Sequence, residues 1–158
     1  MSILQAASAR QVNAGLAILR VVVGSIFVAH GAQKLFVYGL AGVTGSFEGM
    51  GIPLAGLVGP LVALLEFGGG IALIAGLLTR VVALGLAINM LGAILFVHLA
   101  AGFFLPNGSE FALALLGSAA LLTLTGAGAY SADAVIARRN GVRETTAPAV
   151  PLDRRRAA

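Results

Sequence analysis

The sequence contains no cysteine and no tryptophan, and only 10% of its 158 residues carry a formal charge. The absence of cysteine excludes disulfides, thiolate nucleophiles, iron–sulfur ligation and a Cys-x-x-Cys redox relay. The charge is too low to cover the water-facing surface of a soluble domain, in which about 25% of residues are charged. Because 59% of the residues are hydrophobic, intrinsic disorder is excluded for the body of the chain.

Basic residues are concentrated near the C-terminus. Six of the ten Lys and Arg residues follow position 137, so the high pI of about 10.7 reflects a tail and not a basic surface for nucleic acid. We therefore expect residues 1–133 to form one membrane domain and residues 134–158 to form a basic, mostly disordered cytoplasmic tail. No nucleic-acid partner is expected.

Four long apolar runs predict an all-α fold, a bundle of four transmembrane helices. A helix of about 20 apolar residues crosses a bilayer, and the runs place the helices at about residues 13–36, 53–78, 81–105 and 109–128. Pro60 predicts a kink in the second helix, because proline removes a helical hydrogen bond. The glycine-rich stretch 37–52 predicts a flexible loop.

The distribution of arginine predicts the orientation in a bacterial-type inner membrane. Four crossings place both termini and the connector at Arg80 on one side, which then holds eight arginines, whereas the other side holds Lys34 alone. Cytoplasmic segments carry the excess of Lys and Arg. We therefore expect a multi-pass protein of the lipid bilayer with both termini in the cytoplasm.

Ionisable residues inside the first two predicted helices indicate a buried ion pair. Charged groups at membrane depth are costly and are usually paired or functional, and Arg20 and Glu66 lie within the predicted spans. Small residues that allow close helix packing accompany both at helical spacing: Arg20, Gly24, Phe27, Gly31 and Lys34 on one helix, and Gly59, Ala63, Glu66 and Gly70 on the other. We expect these helices to pack with Arg20 and Glu66 between them. Alternatively, Glu66 serves a proton or ligand site.

A second polar layer is predicted near the opposite face of the membrane. His30, Lys34, His98 and Glu110 come from three helices at similar depth, and an apolar cavity with a few convergent polar groups is typical of a ligand site. At about 100° per residue, His98 lies opposite Asn89 on its helix, so both should not face the same neighbour. The alternatives are packing histidines, or a b-type haem on His30 and His98, which is disfavoured because no other haem signature is present. No metal site and no covalently bound cofactor are expected.

An ordered set of short motifs resembles the DoxX family of small membrane proteins over about residues 14–133. The motifs in chain order are Arg20, Gly24, Phe27, His30-Gly31 and Lys34-Leu35-Phe36, then Gly51-Ile52-Pro53, Glu66, Gly69-Gly70, Gly76 and Thr79-Arg80, then His98, Gly102-Phe103-Phe104, Asn107-Gly108-x-Glu110, Gly126-x-Gly128 and Ser131-x-Asp133. The resemblance implies a four-helix integral membrane protein. It also implies a link to the small subunit of a thiosulfate:quinone oxidoreductase or to membrane-associated redox-stress complexes.

Two functions follow as expectations, and no catalytic residue is assigned for either. The first is a subunit of a quinone-linked or redox-stress oxidoreductase, in which the polar layer binds a quinone headgroup and a soluble or membrane redox partner exchanges the electrons. The second is a non-catalytic scaffold that recruits a redox enzyme to the membrane. A small transporter is disfavoured, because four helices enclose little space and no inverted repeat or pair of broken helices is evident.

Overall fold

A computed structural model describes residues 7–139, and this part of the chain contains helices and turns but no strand. The prediction of an all-α fold is confirmed. Two π-helical segments extend α-helices: Gln33–Tyr38 follows the first α-helix, and Ile94–His98 follows the fourth α-helix. The second segment leads into a 3₁₀ turn, Leu99–Ala101. The helices are α1 (Ala9–Ala32), α2 (Gly39–Gly49), α3 (Ala55–Ala75), α4 (Thr79–Ala93), α5 (Glu110–Thr125) and α6 (Ala132–Arg139).

Within residues 7–139, three helical stretches are long and apolar enough to cross a membrane: Ala9–Gly49, Ala55–Ala75 and Thr79–Ala101. Helix α5 is also apolar, but it has only 16 residues, fewer than the roughly 20 that a complete crossing takes. The chain is therefore a helical membrane protein with three spans of sufficient length and a fourth, shorter apolar helix.

Close contact between α1 and α3 is made through glycine, as the two small-residue stripes predict. A Cβ atom built on Gly24 would lie 2.7 Å from the carbonyl oxygen of Gly70, and one built on Gly70 would lie 2.7 Å from that of Gly24. Two turns farther along α1, Gly31 lies against the backbone of Phe67. Without a side chain at these positions the two backbones approach closely, which is how helices associate in lipid.

The prediction of a flexible loop over residues 37–52 is wrong for most of its length, because Gly39–Gly49 forms α2. Gly39 has φ 67° and ψ 162°, outside the helical region, so the backbone changes conformation between the π-helical segment and α2. Helix α2 then packs along the first half of α3, where Val43 is buried beside Gly59. Burial of this apolar face offsets the low helix propensity of the glycines.

At the end of the bundle that contains Arg20 and Arg80, here the arginine end, polar contacts join four chain segments. Asp133 accepts hydrogen bonds from the backbone N–H groups of Leu78 and Thr79 at 2.8 and 3.0 Å and so caps the start of α4. The backbone N–H of Ala129 donates to Asn13 Oδ1 at 2.8 Å. Residues Ala132–Arg139 form helix α6, which is attached through Asp133 in its first turn, whereas the sequence predicted a mostly disordered tail from position 134. The rest of that predicted tail lies outside the described residues.

Candidate functional site

Arg20 does not pair with Glu66, so the buried ion pair predicted from the sequence is wrong. Its Nη1 atom donates to the carbonyl oxygens of Leu73 and Ile74 at 3.0 and 3.3 Å, and its Nη2 atom donates to that of Tyr130 at 2.6 Å. Leu73 and Ile74 lie seven and eight residues beyond Glu66, which is roughly 10–12 Å along a helix. The last carbonyls of a helix lack intrahelical partners and favour a cation, and Arg20 satisfies them while it is only 2% exposed.

Glu66 instead belongs to a polar cluster with Lys34 and Asn89, here the carboxylate cluster. Lys34 Nζ lies 2.5 Å from Glu66 Oε2, and Asn89 Nδ2 donates to Glu66 Oε1 at 2.9 Å. The Glu66 side chain is 5% exposed and that of Lys34 is 20% exposed. Each carboxylate oxygen thus has a donor, which is the condition for holding a charge at membrane depth.

The carboxylate cluster lines a cavity of 760 Å³ between the helices. Ligand cavities are typically about 300–1,000 Å³ in volume and mostly apolar, with a few polar groups. Among the described residues, five polar side chains line this cavity, and the remaining lining residues are apolar or glycine, including Phe27, Phe47, Leu65, Met90 and Phe111 from five helices. The polar five are His30, Lys34, Glu66, Asn89 and His98.

Asn89 and His98, which are expected on opposite sides of their helix, both line the cavity. They still contact different neighbours, because Asn89 donates to Glu66 of α3 and His98 Nδ1 lies beside the carbonyl oxygen of Asn107 in the turn before α5. The expectation assumed uniform α-helical winding, but residues 94–98 are π-helical. A π-helix bonds residue i to i+5 and holds more residues per turn than an α-helix. Each of its residues turns through less than 100°, which rotates His98 toward the face that carries Asn89.

The predicted ligand layer of His30, Lys34, His98 and Glu110 is brought together only in part. The first three residues line the cavity. We call the end of the bundle that holds His30 and His98 the histidine end. Glu110 is not among the residues that line it. Its Oε1 atom accepts from the backbone N–H of Leu105 at 2.8 Å, which closes the turn before α5. His98 Nδ1 lies 2.8 Å from the carbonyl oxygen of Asn107, so both side chains also fix this turn.

Sequence reasoning missed Asn89 as a member of the site. The available signal was its position as a polar residue inside an apolar run, which by itself indicates pairing or function at membrane depth. The sequence does not predict the two π-helical segments, Gln33–Tyr38 and Ile94–His98. Each segment contributes one polar residue to the cavity wall, Lys34 and His98 respectively. π-helical turns inside longer helices often occur at functional sites.

Comparisons with known proteins agree on one family. The DoxX family model matches residues 15–99. The chain is 38% identical over 133 residues to the inner membrane protein YqjF of Escherichia coli, a match that covers 80% of this chain and 95% of the relative. It is 33% identical over 129 residues to the "Putative oxidoreductase CatD" of Bacillus subtilis, covering 80% of this chain and 92% of the relative.

A third relative, an uncharacterized membrane protein of Mycobacterium tuberculosis, is 33% identical over 132 residues, which is 77% of this chain and 80% of the relative. No solved structure matches the chain. These similarities identify a bacterial-type inner membrane protein, and one of the relatives is named for redox chemistry.

Proposed function

Because the chain belongs to the DoxX family, we propose that it is a quinone-binding subunit of a membrane oxidoreductase system, with the headgroup in the cavity between its helices. The observation that carries this proposal is the cavity itself, which is apolar over most of its wall and has His30, Lys34, Glu66, Asn89 and His98 on it. The relative named as an oxidoreductase is consistent with such a role.

The donors that remain in the carboxylate cluster suit the carbonyl oxygens of a quinone. Lys34 has three N–H donors and Asn89 has two, and each residue gives one to Glu66. The remaining protons, together with an imidazole N–H of His30, provide the donors that fix a headgroup in an apolar site, whereas His98 gives its Nδ1–H to the carbonyl oxygen of Asn107 and lines the wall. The proposal concerns binding, and electron transfer to or from the quinone is left to a partner protein.

We propose further that α5 completes a fourth crossing and that both termini are cytoplasmic. Helix α5 returns from the turn beside His98 to the arginine end, where Ala129 contacts Asn13 near the start of α1. Irregular backbone at membrane depth is tolerated where protein covers it, so short turns extend a 16-residue helix into a crossing. Arg20, Arg80, Arg138 and Arg139 lie toward the arginine end, which the positive-inside rule assigns to the cytoplasm.

Binding of a short-chain, water-soluble quinone to the protein in lipid nanodiscs tests the proposed function. Lys34→Met, Asn89→Leu and His98→Ala are expected to weaken binding, whereas Gln33→Met, at an exposed position beside Lys34, is expected to leave it unchanged. Unaltered binding in all three cavity variants, or no binding to the wild type under conditions where a known quinone protein binds, would overturn the proposal. An absorption spectrum of the purified protein tests the haem alternative in the same sample.

A non-catalytic scaffold is the second candidate, and one observation favours it. Arg20, Asn13 and Asp133 are each used to join backbone segments, so much of the polar chemistry serves packing. A scaffold requires that cavity variants still copurify with a redox enzyme in mild detergent and retain that enzyme's activity at the membrane. Loss of quinone-dependent activity with the complex intact favours the quinone-binding subunit.

A further inference from the structure

We propose that the cavity opens sideways into the bilayer, through a gap between α3 and α4, and that an apolar chain from the membrane occupies this gap. The inference rests on the proposed function for the identity of the headgroup, since it specifies the ligand as one with a long apolar chain that is dissolved in the membrane.

The two helices touch in the half nearer the arginine end. A Cβ atom built on Gly69 would lie 3.2 Å from Val82, and one built on Gly85 would lie 3.3 Å from Leu65. The hydrogen bond between Glu66 and Asn89 joins the helices at the next turn. Leu65 and Gly85 therefore close the bottom of the gap.

Beyond this contact the helices are separated by the cavity. Val58 and Leu61 line it from α3, and Ile88 and Gly92 line it from α4, followed by Phe96 of the π-helical segment. The spacing of three or four residues places each set along one helix face. Two rows of side chains thus border the gap.

The borders of the gap face the bilayer. Leu61 is 55% exposed, Ile88 is 63% exposed and Phe96 is 51% exposed, although all three also line the cavity. α3 and α4 belong to stretches long and apolar enough to cross a membrane, so the surface that they expose away from the bundle contacts lipid. An opening with only apolar side chains at its border admits a hydrocarbon chain. It disfavours a polar chain, which would lose its hydrogen bonds to water there.

Gly92 lies in the middle of the α4 border, and a Cβ atom built there meets nothing within 4 Å. Glycine is therefore not required at this position by close packing, in contrast to Gly24 and Gly70. The missing side chain leaves the gap open between Ile88 and Phe96, and a leucine at position 92 has room to close it without displacing backbone.

Tryptophan fluorescence in vesicles of brominated phosphatidylcholine tests the opening, because the chain has no tryptophan of its own. Phe47→Trp places the reporter on the cavity wall. Phe36→Trp places one on a side chain that is 73% exposed and lies outside the cavity, as a reference for full lipid contact. Bromine on the acyl chains quenches a tryptophan that those chains reach, and aqueous iodide quenches one that water reaches.

We expect brominated lipid to quench Phe47→Trp, and we expect Gly92→Leu to abolish most of that quenching. Gly117→Leu, at an exposed glycine of α5 with nothing within 4 Å of its Cβ, is the matched control and should leave the quenching unchanged. Val58→Phe narrows the gap from the α3 side and replaces Gly92→Leu if that variant does not fold. Phe36→Trp should be quenched equally in every background.

Quenching of Phe47→Trp by iodide but not by brominated lipid would show a cavity open to water and would overturn the inference. Lipid quenching that neither Gly92→Leu nor Val58→Phe reduces would overturn it as well, since the chains would then enter elsewhere. These vesicles contain no quinone, so the quenching experiment and the quinone-binding experiment are independent. A closed gap would not contradict quinone binding, and a failure of quinone binding would not contradict entry of acyl chains.

Discussion

Three charged side chains inside the bundle are held by different means. Arg20 donates hydrogen bonds to backbone carbonyls at the end of α3 and to that of Tyr130. Glu66 and Lys34 neutralise each other, with Asn89 as the second donor to the carboxylate. The first arrangement joins segments of backbone, whereas the second places a polar cluster on a cavity wall. Arg20 therefore serves stability alone, whereas the carboxylate cluster serves both stability and the proposed ligand site.

Removal of either charge of the carboxylate cluster is expected to destabilise the protein. The remaining charge would lack a partner in a low-dielectric site. Breaking a fully buried pair lowers the free energy of unfolding by about 3–5 kcal/mol. We expect the lower end of this range here, because the Lys34 side chain is 20% exposed. Lys34→Met and Glu66→Gln should each lower the thermal midpoint in detergent, and the double variant should recover part of the loss. Glu48→Gln, at an exposed carboxylate of α2, is the control. Strictly additive losses in the double variant would show that the two charges do not interact.

Arg20→Met is expected to destabilise the protein by several kcal/mol. Three hydrogen bonds from a charged donor are lost, each worth about 1.5–3 kcal/mol. Arg20→Lys should recover only part of the stability, because an ammonium group cannot reach the two segments as a planar fork. Arg80→Met, at an exposed arginine, should change the denaturation midpoint little. Equal stability of Arg20→Met and Arg80→Met would contradict this role for Arg20.

At the scale of helices, glycine has two different uses. Gly24 and Gly70 let α1 and α3 touch, whereas a side chain at Gly15 or Gly92 would meet no neighbour within 4 Å. The π-helical segments form another element-scale feature, since one contains Lys34 and the other turns His98 toward the cavity between otherwise regular helices. Helix packing and cavity chemistry are thus set by different parts of the same helices.

Gly24→Val is expected to force α1 and α3 apart and to lower stability. The added side chain would overlap the carbonyl of Gly70, and overpacking of a closely packed core costs about 1–3 kcal/mol or more. Gly15→Val on the same helix has open space around its Cβ and serves as the control. The first measurement is thermal unfolding in detergent. The second is disulfide crosslinking between one cysteine introduced on α1 and one on α3, because the chain has no cysteine of its own. A Gly24→Val variant as stable as Gly15→Val would refute the contact.

At the scale of the whole molecule, charge is divided between the two ends of the bundle. The arginine end contains Arg20, Arg80, Arg138 and Arg139, whereas Lys34 is paired with Glu66 on the cavity wall toward the histidine end. The chain segments that meet at the arginine end are the start of α1, the end of α3, the start of α4 and the residues after α5. This arrangement is the basis for the proposed topology.

Single-cysteine labelling tests that topology, because the chain contains no native cysteine. Asn107→Cys, in the exposed turn before α5, is expected to react with a membrane-impermeant maleimide in intact cells. Ala158→Cys should react only after the cells are lysed. Labelling of both positions in intact cells, or of Ala158→Cys alone, would rule out two cytoplasmic termini with four crossings.

The sequence by itself determined the class of protein, the family and the main helix contact. Apolar runs of bilayer length predict membrane helices because unpaired backbone groups cannot lie in lipid, and the small residues around Gly24 and Gly70 mark the face on which α1 and α3 pack. These features depend on local composition and spacing, which a linear sequence records directly.

Only the tertiary structure decided the partners of the charged residues and the shape of the cavity. The relative shift of α1 and α3 along their axes brings Glu66 to Lys34 and leaves Arg20 beside Leu73 and Ile74. Equal spacing on two helices does not fix that shift, because ridges can interlock at more than one position. The turn of His98 toward Asn89 depends on π-helical winding, which no residue type specifies, and the folding of residues 39–49 into α2 depends on burial against α3.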